Sequence, residues 1–183
     1  MTRSPLLDTI SRARDDGVAR CVALLLALVT GLAACGEPEV ALEPPPRGAD
    51  EHVHDEVGVI DASVGARLDA LGADTGLDVV ALAYEDDRAS LGQADRAGTR
   101  LLDAWDADIV LVAVAFPGDF TNPDPDARQR YFGVTATDRF TVTRDLRERI
   151  VEDAVPGPAA DNDWTAAFHA AVDELDADLG ASG

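Results

Sequence analysis

Two near-continuous apolar segments constrain the fold of this chain most. They read LDVVALAY at 77–84 and IVLVAVAF at 109–116, and neither alternates polar with apolar residues as a strand with one wet face does. Strands that are apolar throughout are typical of parallel sheets covered by helices on both faces. The two segments therefore predict the central strands of an α/β domain.

Segments with helical spacing alternate with these strands. Helices are predicted to begin after the cap residues Asp61, Ser90, Thr143 and Asp163, and the third is predicted to end at the prolines of 156–158. The last helix carries the clearest apolar stripe, made of Trp164, Phe168, Ala171, Val172, Leu175 and Leu179. With a further strand at 130–135, the pattern predicts a single three-layer α/β/α domain with a mostly parallel sheet of about four strands flanked by four helices.

The N-terminal segment has the order of regions of an export signal. An uncharged apolar run of 14 residues at 21–34 follows three nearby arginines, and it is shorter than the about 20 residues needed to span a membrane. The run leads into LAAC at 32–35, which resembles a bacterial lipobox, where the cysteine thiol is acylated. We predict a lipoprotein signal peptide at 1–34, lipidation with palmitate or a similar acyl chain at Cys35, and a location on the extracytoplasmic face of the cell membrane.

Two alternatives remain open for this segment. It would also suit a secretory peptide cut after an alanine, with Cys35 left as a free thiol or as a pairing partner. Three aspartates dilute the positive charge ahead of the apolar run, and a start at Val18 through an alternative start codon would remove them.

Composition divides the rest of the chain. Residues 35–52 hold four prolines among acids and are predicted to form a stiff tether, 53–180 the domain, and 181–183 a tail. The net charge of −20, with no lysine, argues against nucleic acid as a partner and against adsorption to anionic lipid. That charge suits an acidic domain which needs a covalent anchor to stay in the cell envelope. The length predicts one core, and we expect a monomeric domain.

Several short motifs occur in an order that resembles one known family. The segment 53–61, VHDEVGVID, resembles the V-x-D-x-a-G-v-L-s segment that leads into the first helix of TPM domains. The residues TGLDVV at 75–80, YFGV at 131–134, the segment 150–156 and DNDW at 161–164 follow the later motifs of that family in the same order. The resemblance covers nearly all of 53–179.

The resemblance implies an α/β fold and links the chain to thylakoid proteins of photosystem II repair and to membrane-anchored bacterial proteins. Acid phosphatase activity and calcium have been associated with the family. Where the family has a D-N-G turn before its central strand, this chain has Asp106-Ala107-Asp108, so Asp106 takes the place of the family's aspartate. The glycine is missing, and a non-glycine residue is reluctant to adopt the positive φ that glycine permits.

Acidic residues are the candidate ligands. Asp55, Asp106 and Asp108 lie beside predicted element boundaries, and their carboxylates would suit a hard cation such as calcium. They fit equally well as solvated turn and cap residues, and the abundance of acids in the chain favours that reading. The acidic residues at 85–87, after the first buried strand, and those in the loop 119–126 can likewise be read as cation ligands or as solvated loop residues. The loop lacks the glycine and the glutamate of an EF-hand.

Other familiar arrangements of catalytic residues are missing from the sequence. It has no P-loop, no dinucleotide fingerprint, no G-x-S-x-G and no H-E-x-x-H. His52 and His54 would point to one side of an extended strand, but two histidines make an incomplete site for a transition metal. His169 lies beside the stripe of the last helix, where packing is the expected role.

Two functional hypotheses follow. The first is a lipid-anchored extracytoplasmic binding module that interacts with a membrane protein or an envelope component, in assembly or quality control. The alternative is a phosphomonoester hydrolase of low efficiency, in which a cation held by Asp55, Asp106 and Asp108 activates water. We favour the non-catalytic module because no complete site is visible in the sequence.

The anchor can be tested directly. Acylation needs the thiol of Cys35, so Cys35→Ser should move the protein from the membrane fraction to the medium or the periplasm, as measured by fractionation and immunoblotting. A serine substitution at Cys21, which would be removed with the leader, is the matched control and should leave the distribution unchanged. Retention of the Cys35→Ser protein in the membrane fraction would contradict the lipoprotein prediction.

Overall fold

The computed structural model describes residues 43–48, 51–138 and 142–180. Within them, four strands form one sheet in the order β1-β2-β3-β4, with β1 at Val53–Asp55, β2 at Val79–Glu85, β3 at Ile109–Ala115 and β4 at Arg130–Ala136. The first three strands are parallel, and β4 pairs antiparallel with β3. The predicted mostly parallel sheet of an α/β domain is confirmed. The predicted leader at 1–34, the predicted lipidation site Cys35 and the predicted tail at 181–183 lie outside the described residues.

Helices flank this sheet at nearly the predicted places. They are α1 (Ala62–Thr75), α2 (Leu91–Trp105), α3 (Arg144–Glu148), α4 (Pro156–Ala160) and α5 (Trp164–Leu179), and a short 3-10 turn occupies Pro125–Ala127. All four predicted cap residues, at Asp61, Ser90, Thr143 and Asp163, accept a hydrogen bond from a backbone N–H in the first turn. These bonds satisfy donors that have no partner within the helix, which fixes where each helix begins.

The helical run that begins after Thr143 ends at Ala154, directly before the prolines of 156–158 as predicted, but a further short helix begins at Pro156. The chain leaves α3 through a turn of π-helix at Arg149–Ala154 and continues as α4 at Pro156–Ala160, so the helical backbone passes through Val155. Proline is tolerated in the first turn of a helix because its missing N–H would have no partner there. Counted as one helical segment, the stretch from α3 to α4 makes up the predicted four helices together with α1, α2 and α5.

The sheet separates two hydrophobic cores. Side chains of β2 and β3 that point to one face pack against α1, α3, α4 and α5, and those on the other face pack against α2. Because β1, β2 and β3 follow one another in order while α1 and α2 lie on opposite faces, one of the two β-α-β crossovers must be left-handed, whereas about 98% of such connections are right-handed. Among the described helices, α2 alone covers the second face of the sheet.

Part of the segment predicted as a tether packs on the domain. Arg47 donates a hydrogen bond of 2.8 Å from Nη2 to Oδ1 of Asp78, and its guanidinium lies 5.6 Å from the ring centre of Trp105. Nε1 of Trp105 donates to the carbonyl of Pro45 at 2.9 Å. Residues 43–48 therefore contact the beginning of β2 and the end of α2. None of the described helices is both long enough and apolar enough to cross a membrane.

The stripe of α5 provides a test of the core. Phe168 is fully buried, with its ring centre 5.2 Å from that of Phe132 in an edge-to-face arrangement. Phe168→Ala should lower the free energy of unfolding by about 3–5 kcal/mol, because it removes the buried ring and leaves a cavity. Leu179→Ala, at the half-buried end of the same stripe, should cost clearly less. Equal losses for the two variants in urea unfolding would show that the stripe is not the core of this face.

Candidate functional site

Asp55 ends β1 and holds the loop that follows it. Its Oδ1 accepts hydrogen bonds from the backbone N–H groups of Val57 and Gly58 at 3.0 and 2.8 Å, and its Oδ2 accepts one from Ile60 at 2.6 Å. The carboxylate thus satisfies three backbone donors in a turn, which is a common role of aspartate. The oxygen atoms that a cation would need already accept hydrogen bonds from the chain.

Asp106 and Asp108 lie in the turn between α2 and β3. Asp106 adopts a left-handed backbone conformation with φ of 52° and ψ of 39° at the end of α2, so the geometry that a glycine would favour is present without one. Aspartate is among the few non-glycine residues that visit this region. Oδ2 of Asp108 accepts a hydrogen bond of 2.9 Å from the backbone N–H of Asp78 and so joins the beginnings of β2 and β3.

The structure does not bring the three aspartates together. Asp55 pairs with Ala83 near the carboxyl end of β2, whereas Asp108 contacts Asp78 just before that strand begins. Five residues of parallel strand separate these levels by about 16 Å, too far for ligands of one cation. No group of three His, Cys, Asp or Glu side chains suited to a metal ion occurs in the described part of the chain. Calcium binding stays a prediction, without a shared site for these carboxylates.

The histidines of the sequence analysis contact protein groups. Nε2 of His52 lies 3.1 Å from Oδ1 of Asp69, and Nδ1 of His52 lies 3.1 Å from the carbonyl oxygen of Val79. His54 packs edge-on against Trp105 with ring centres 6.2 Å apart. Nε2 of His169 lies 3.0 Å from the hydroxyl of Ser63. These contacts place all three rings in interactions with neighbouring helices or strands.

The acidic loops likewise bind their own backbone. Oε1 of Glu85 accepts a hydrogen bond of 2.7 Å from the N–H of Gly118, which joins the carboxyl ends of β2 and β3. Oδ1 and Oδ2 of Asp119 accept from the side chain of Asn122 and from the N–H of Gln129 at 3.0 and 2.8 Å. These bonds lower the pKa of Asp119, the Asn122 contact most strongly, so its carboxylate is stabilised in the charged form by the loop itself.

Strand β4 is one of the two edge strands of the sheet, with the three-residue strand β1 at the other edge. The N–H of Phe116 donates to the carbonyl of Gln129, and the N–H of Thr137 donates to the carbonyl of Asp108, which fixes the register of β3 and β4. Hydrogen bonding alternates along an antiparallel pair, so the backbone groups of Arg130, Phe132, Val134 and Ala136 face away from β3. No other strand in the described residues pairs with that edge. Such an edge is a template for an added strand.

Two adjoining hollows follow this edge, and together we call them the β4 groove. They have volumes of about 440 and 180 Å³ and share Leu91 and Val151 in their walls. The larger hollow is mostly apolar, with walls that include Leu91, Phe132, Val151, Val155, Ala159 and Trp164. Leu91 is 50% exposed and is the one large hydrophobic side chain in the described residues that stands open to solvent. Apolar concavities with a few polar groups are the usual form of binding sites.

The two ends of the β4 groove differ in charge. Arg130 lies in the wall of the larger hollow, where Nη1 donates to Oδ1 of Asn162 at 2.6 Å and the guanidinium lies 5.5 Å from the ring centre of Trp164. Burial, together with repulsion from Arg128, lowers the pKa of Arg130. The smaller hollow is lined by Arg147 and by three acids, Asp95, Glu148 and Glu152. The groove therefore has a basic end and a mainly acidic end.

Arg128 and Arg130 differ from most other arginines of the domain. Five described arginines, namely Arg47, Arg67, Arg88, Arg144 and Arg149, form ion pairs with carboxylates. Arg128 instead donates to the carbonyls of Ala160 and Pro123, and its buried Nε has no partner among the described atoms. Neither Arg128 nor Arg130 forms an ion pair within the part of the chain that the structure describes. Of the two, Arg130 lines the larger hollow, so its positive charge faces the groove in a chain whose net charge is −20.

Sequence reasoning did not find the β4 groove. Its walls come from the first turn of α2, from β4 and from the bent segment of α3 and α4, which are distant in the sequence. Leu91 gave the available signal, because it is a large apolar residue directly after the cap Ser90 and outside the stripe that α2 buries. An apolar residue at this position indicates a binding surface only when β4 is known to be an edge strand.

Comparisons with known proteins found similarity to solved structures. The chain is similar to the N-terminal domain of the cg2496 protein from Corynebacterium glutamicum, solved by NMR, at 17% sequence identity and a TM-score of 0.48. The match covers 78% of this chain and 90% of that one. No family model and no curated protein matches the chain. The β4 groove and its charges are therefore interpreted from the chain's own residues.

Substitutions at Asp106, which adopts a left-handed backbone conformation, can distinguish a structural role of this residue from a role as a cation ligand. Because alanine in a left-handed conformation costs about 1–2 kcal/mol and glycine does not, Asp106→Gly should unfold at higher urea concentration than Asp106→Ala. Calcium and magnesium at equal ionic strength should raise the melting temperature of all three proteins equally, through screening of the negative charge. A calcium-specific increase that both substitutions remove would instead assign Asp106 to a cation site.

Proposed function

We propose that this chain is a lipid-anchored extracytoplasmic binding module, held in the envelope through Cys35, and that the β4 groove binds a membrane protein or another envelope component. The observation that carries the proposal is the coincidence of an unpaired strand edge with an apolar groove that exposes Leu91. An open edge attracts other chains, and proteins usually cover or blunt such edges unless they use them.

Two further features support a binding role. The net charge of −20 keeps the domain away from anionic lipid, so a covalent anchor leaves the groove free to meet a protein. The order of motifs that resembles TPM domains, together with the mixed four-stranded sheet, supports our proposal that the chain is a divergent TPM-like domain. Assembly or quality control of a membrane complex is the role that this resemblance suggests.

The alternative, a cation-dependent phosphatase, gains no support from the geometry. That chemistry requires a cation held by several carboxylates beside a water molecule. Asp55 lies at the carboxyl ends of the parallel strands and Asp106 and Asp108 at their amino ends, and the carboxylates of Asp55 and Asp108 accept backbone hydrogen bonds. No observation favours phosphoryl transfer over binding.

Site-specific crosslinking in living cells tests the proposed function. A photoreactive amino acid at Leu91 in the full chain should form an adduct with a protein of the envelope, and the adduct should disappear when Cys35→Ser is combined with it. The matched control places the same amino acid at Ala62, which is also exposed and also the first residue of a helix, but lies on α1 away from β4. Adducts of equal yield from both positions, or none from Leu91, would contradict a binding surface at the groove.

A further inference from the structure

The β4 groove has the dimensions of a short extended peptide. The backbone groups of Arg130, Phe132 and Val134 face the groove side of β4 at every second residue. An extended chain laid along them would form a ladder of main-chain hydrogen bonds, which supplies affinity without reading sequence. The two hollows follow β4 from Arg130 to Val134, a length of about 14 Å, or about five residues of strand.

The larger hollow determines which side chain of a bound peptide fits best. Its volume of about 440 Å³ and its apolar walls, formed by Leu91, Val151, Val155 and Trp164, suit a branched aliphatic or aromatic side chain. Arg130 lines the same hollow, close to the beginning of β4, and Arg128 precedes it by two residues. An apolar side chain next to a carboxylate would satisfy both features at once, because a guanidinium binds a carboxylate through paired N–H donors.

A carboxylate directly beside an apolar side chain, at the end of an extended segment, describes the C-terminus of a protein. The opposite end of the groove, lined by Asp95, Glu148 and Glu152 with Arg147, favours a basic side chain there. A peptide whose C-terminus lies at Arg130 and whose earlier residues lie toward Val134 runs antiparallel to β4, so it can form the alternating hydrogen bonds of an antiparallel pair.

We propose, on the basis of the proposed binding function, that the β4 groove binds the free C-terminus of a partner protein as an added strand antiparallel to β4. The terminal carboxylate binds Arg130, the last side chain is apolar and fills the larger hollow, and a lysine or arginine about four residues before it meets the acidic end. Arg130 is then the residue that determines specificity for a chain end, and Leu91 covers the last side chain.

Binding of peptides to the full chain tests this assignment. The probe is a library of octapeptides with randomised residues, attached through their N-termini so that the C-terminus is free, and the same library with amidated C-termini. Free peptides ending in leucine, isoleucine, valine or phenylalanine, with a basic residue near the fourth preceding position, should be enriched. Amidation should weaken the best peptide about tenfold or more, because it removes the partner of a guanidinium.

Variants of the protein assign the effect to named residues. Arg130→Gln should lose the preference for a free carboxylate, so that acid and amide peptides bind equally, whereas Arg67→Gln, an exposed arginine on α1, should keep the preference. Because Arg130 also stacks on Trp164, the folding of the variant is checked by its melting curve, and Leu91→Glu serves as a second variant at an exposed position that should reduce binding of all peptides. N-methylation removes the backbone N–H of a residue. Methylation of the peptide residues whose N–H groups point toward β4 should abolish binding, whereas methylation of the intervening residues should leave binding unchanged.

The results separate this inference from the proposed function. Crosslinking at Leu91 in cells together with equal binding of acid and amide peptides would overturn recognition of a C-terminus and leave the binding module intact, with an internal strand or a second copy of this chain as the occupant. Absence of both crosslinking and peptide binding would overturn both. Enrichment of free C-termini that Arg130→Gln abolishes would establish the inference.

Discussion

The burial of β2 and β3 on both faces is the constraint on which the rest of this structure depends. Every side chain of these two strands except Glu85 is essentially inaccessible to water. Two adjacent strands of this kind are stable only when helices cover both sides, so the chain must supply a helical layer above and below them. Both cysteines, Cys21 and Cys35, lie outside the described residues, so this burial, and not a disulfide, holds the described domain together.

The position of α2 converts that architecture into a binding surface. This helix packs across β3 and β4, and it comes so close that a β-carbon on Gly98 would collide with the side chain of Thr135 and one on Gly133 would press on Ala94. The close approach places the first turn of α2, with Leu91, at the edge of β4. On the other face, the bent segment from α3 to α4 brings Val151 and Val155 to the same edge. Both walls of the groove therefore follow from packing against an edge strand.

The acidic residues serve this architecture in two ways. Several of them, such as Asp55, Asp108 and Asp119, accept hydrogen bonds from backbone N–H groups and so fix loops and strand ends. The remainder carry a negative charge that the few arginines only partly balance. Against that background, Arg130 at one end of the groove stands out, because its guanidinium bonds to a neutral amide oxygen and not to a carboxylate. Local charge, more than the overall charge, distinguishes the basic end of the groove from its mainly acidic end.

The sequence by itself determined the two buried strands, the helices with their cap residues, and the apolar stripe of α5, because these depend on local periodicity and local hydrogen bonds. It also predicted a mostly parallel sheet, which the apolar character of β2 and β3 implied. It predicted the end of a helix at the prolines of 156–158 but not the short helix that begins there, since proline is also tolerated in the first turn of a helix. It grouped Asp55 with Asp106 and Asp108, because proximity to an element boundary does not by itself bring residues at the carboxyl and amino ends of the strands together.

Only the tertiary structure decided the strand order, the placement of α1 and α2 on opposite faces, and the status of β4 as an open edge. These properties depend on pairings between residues distant in the chain, and one sequence carries no direct record of them. The groove follows from those pairings, because Leu91, Arg130 and Val155 meet only when α2, β4 and the bent helical segment pack together. Local sequence thus fixed the elements, whereas long-range packing created the surface to which we assign function.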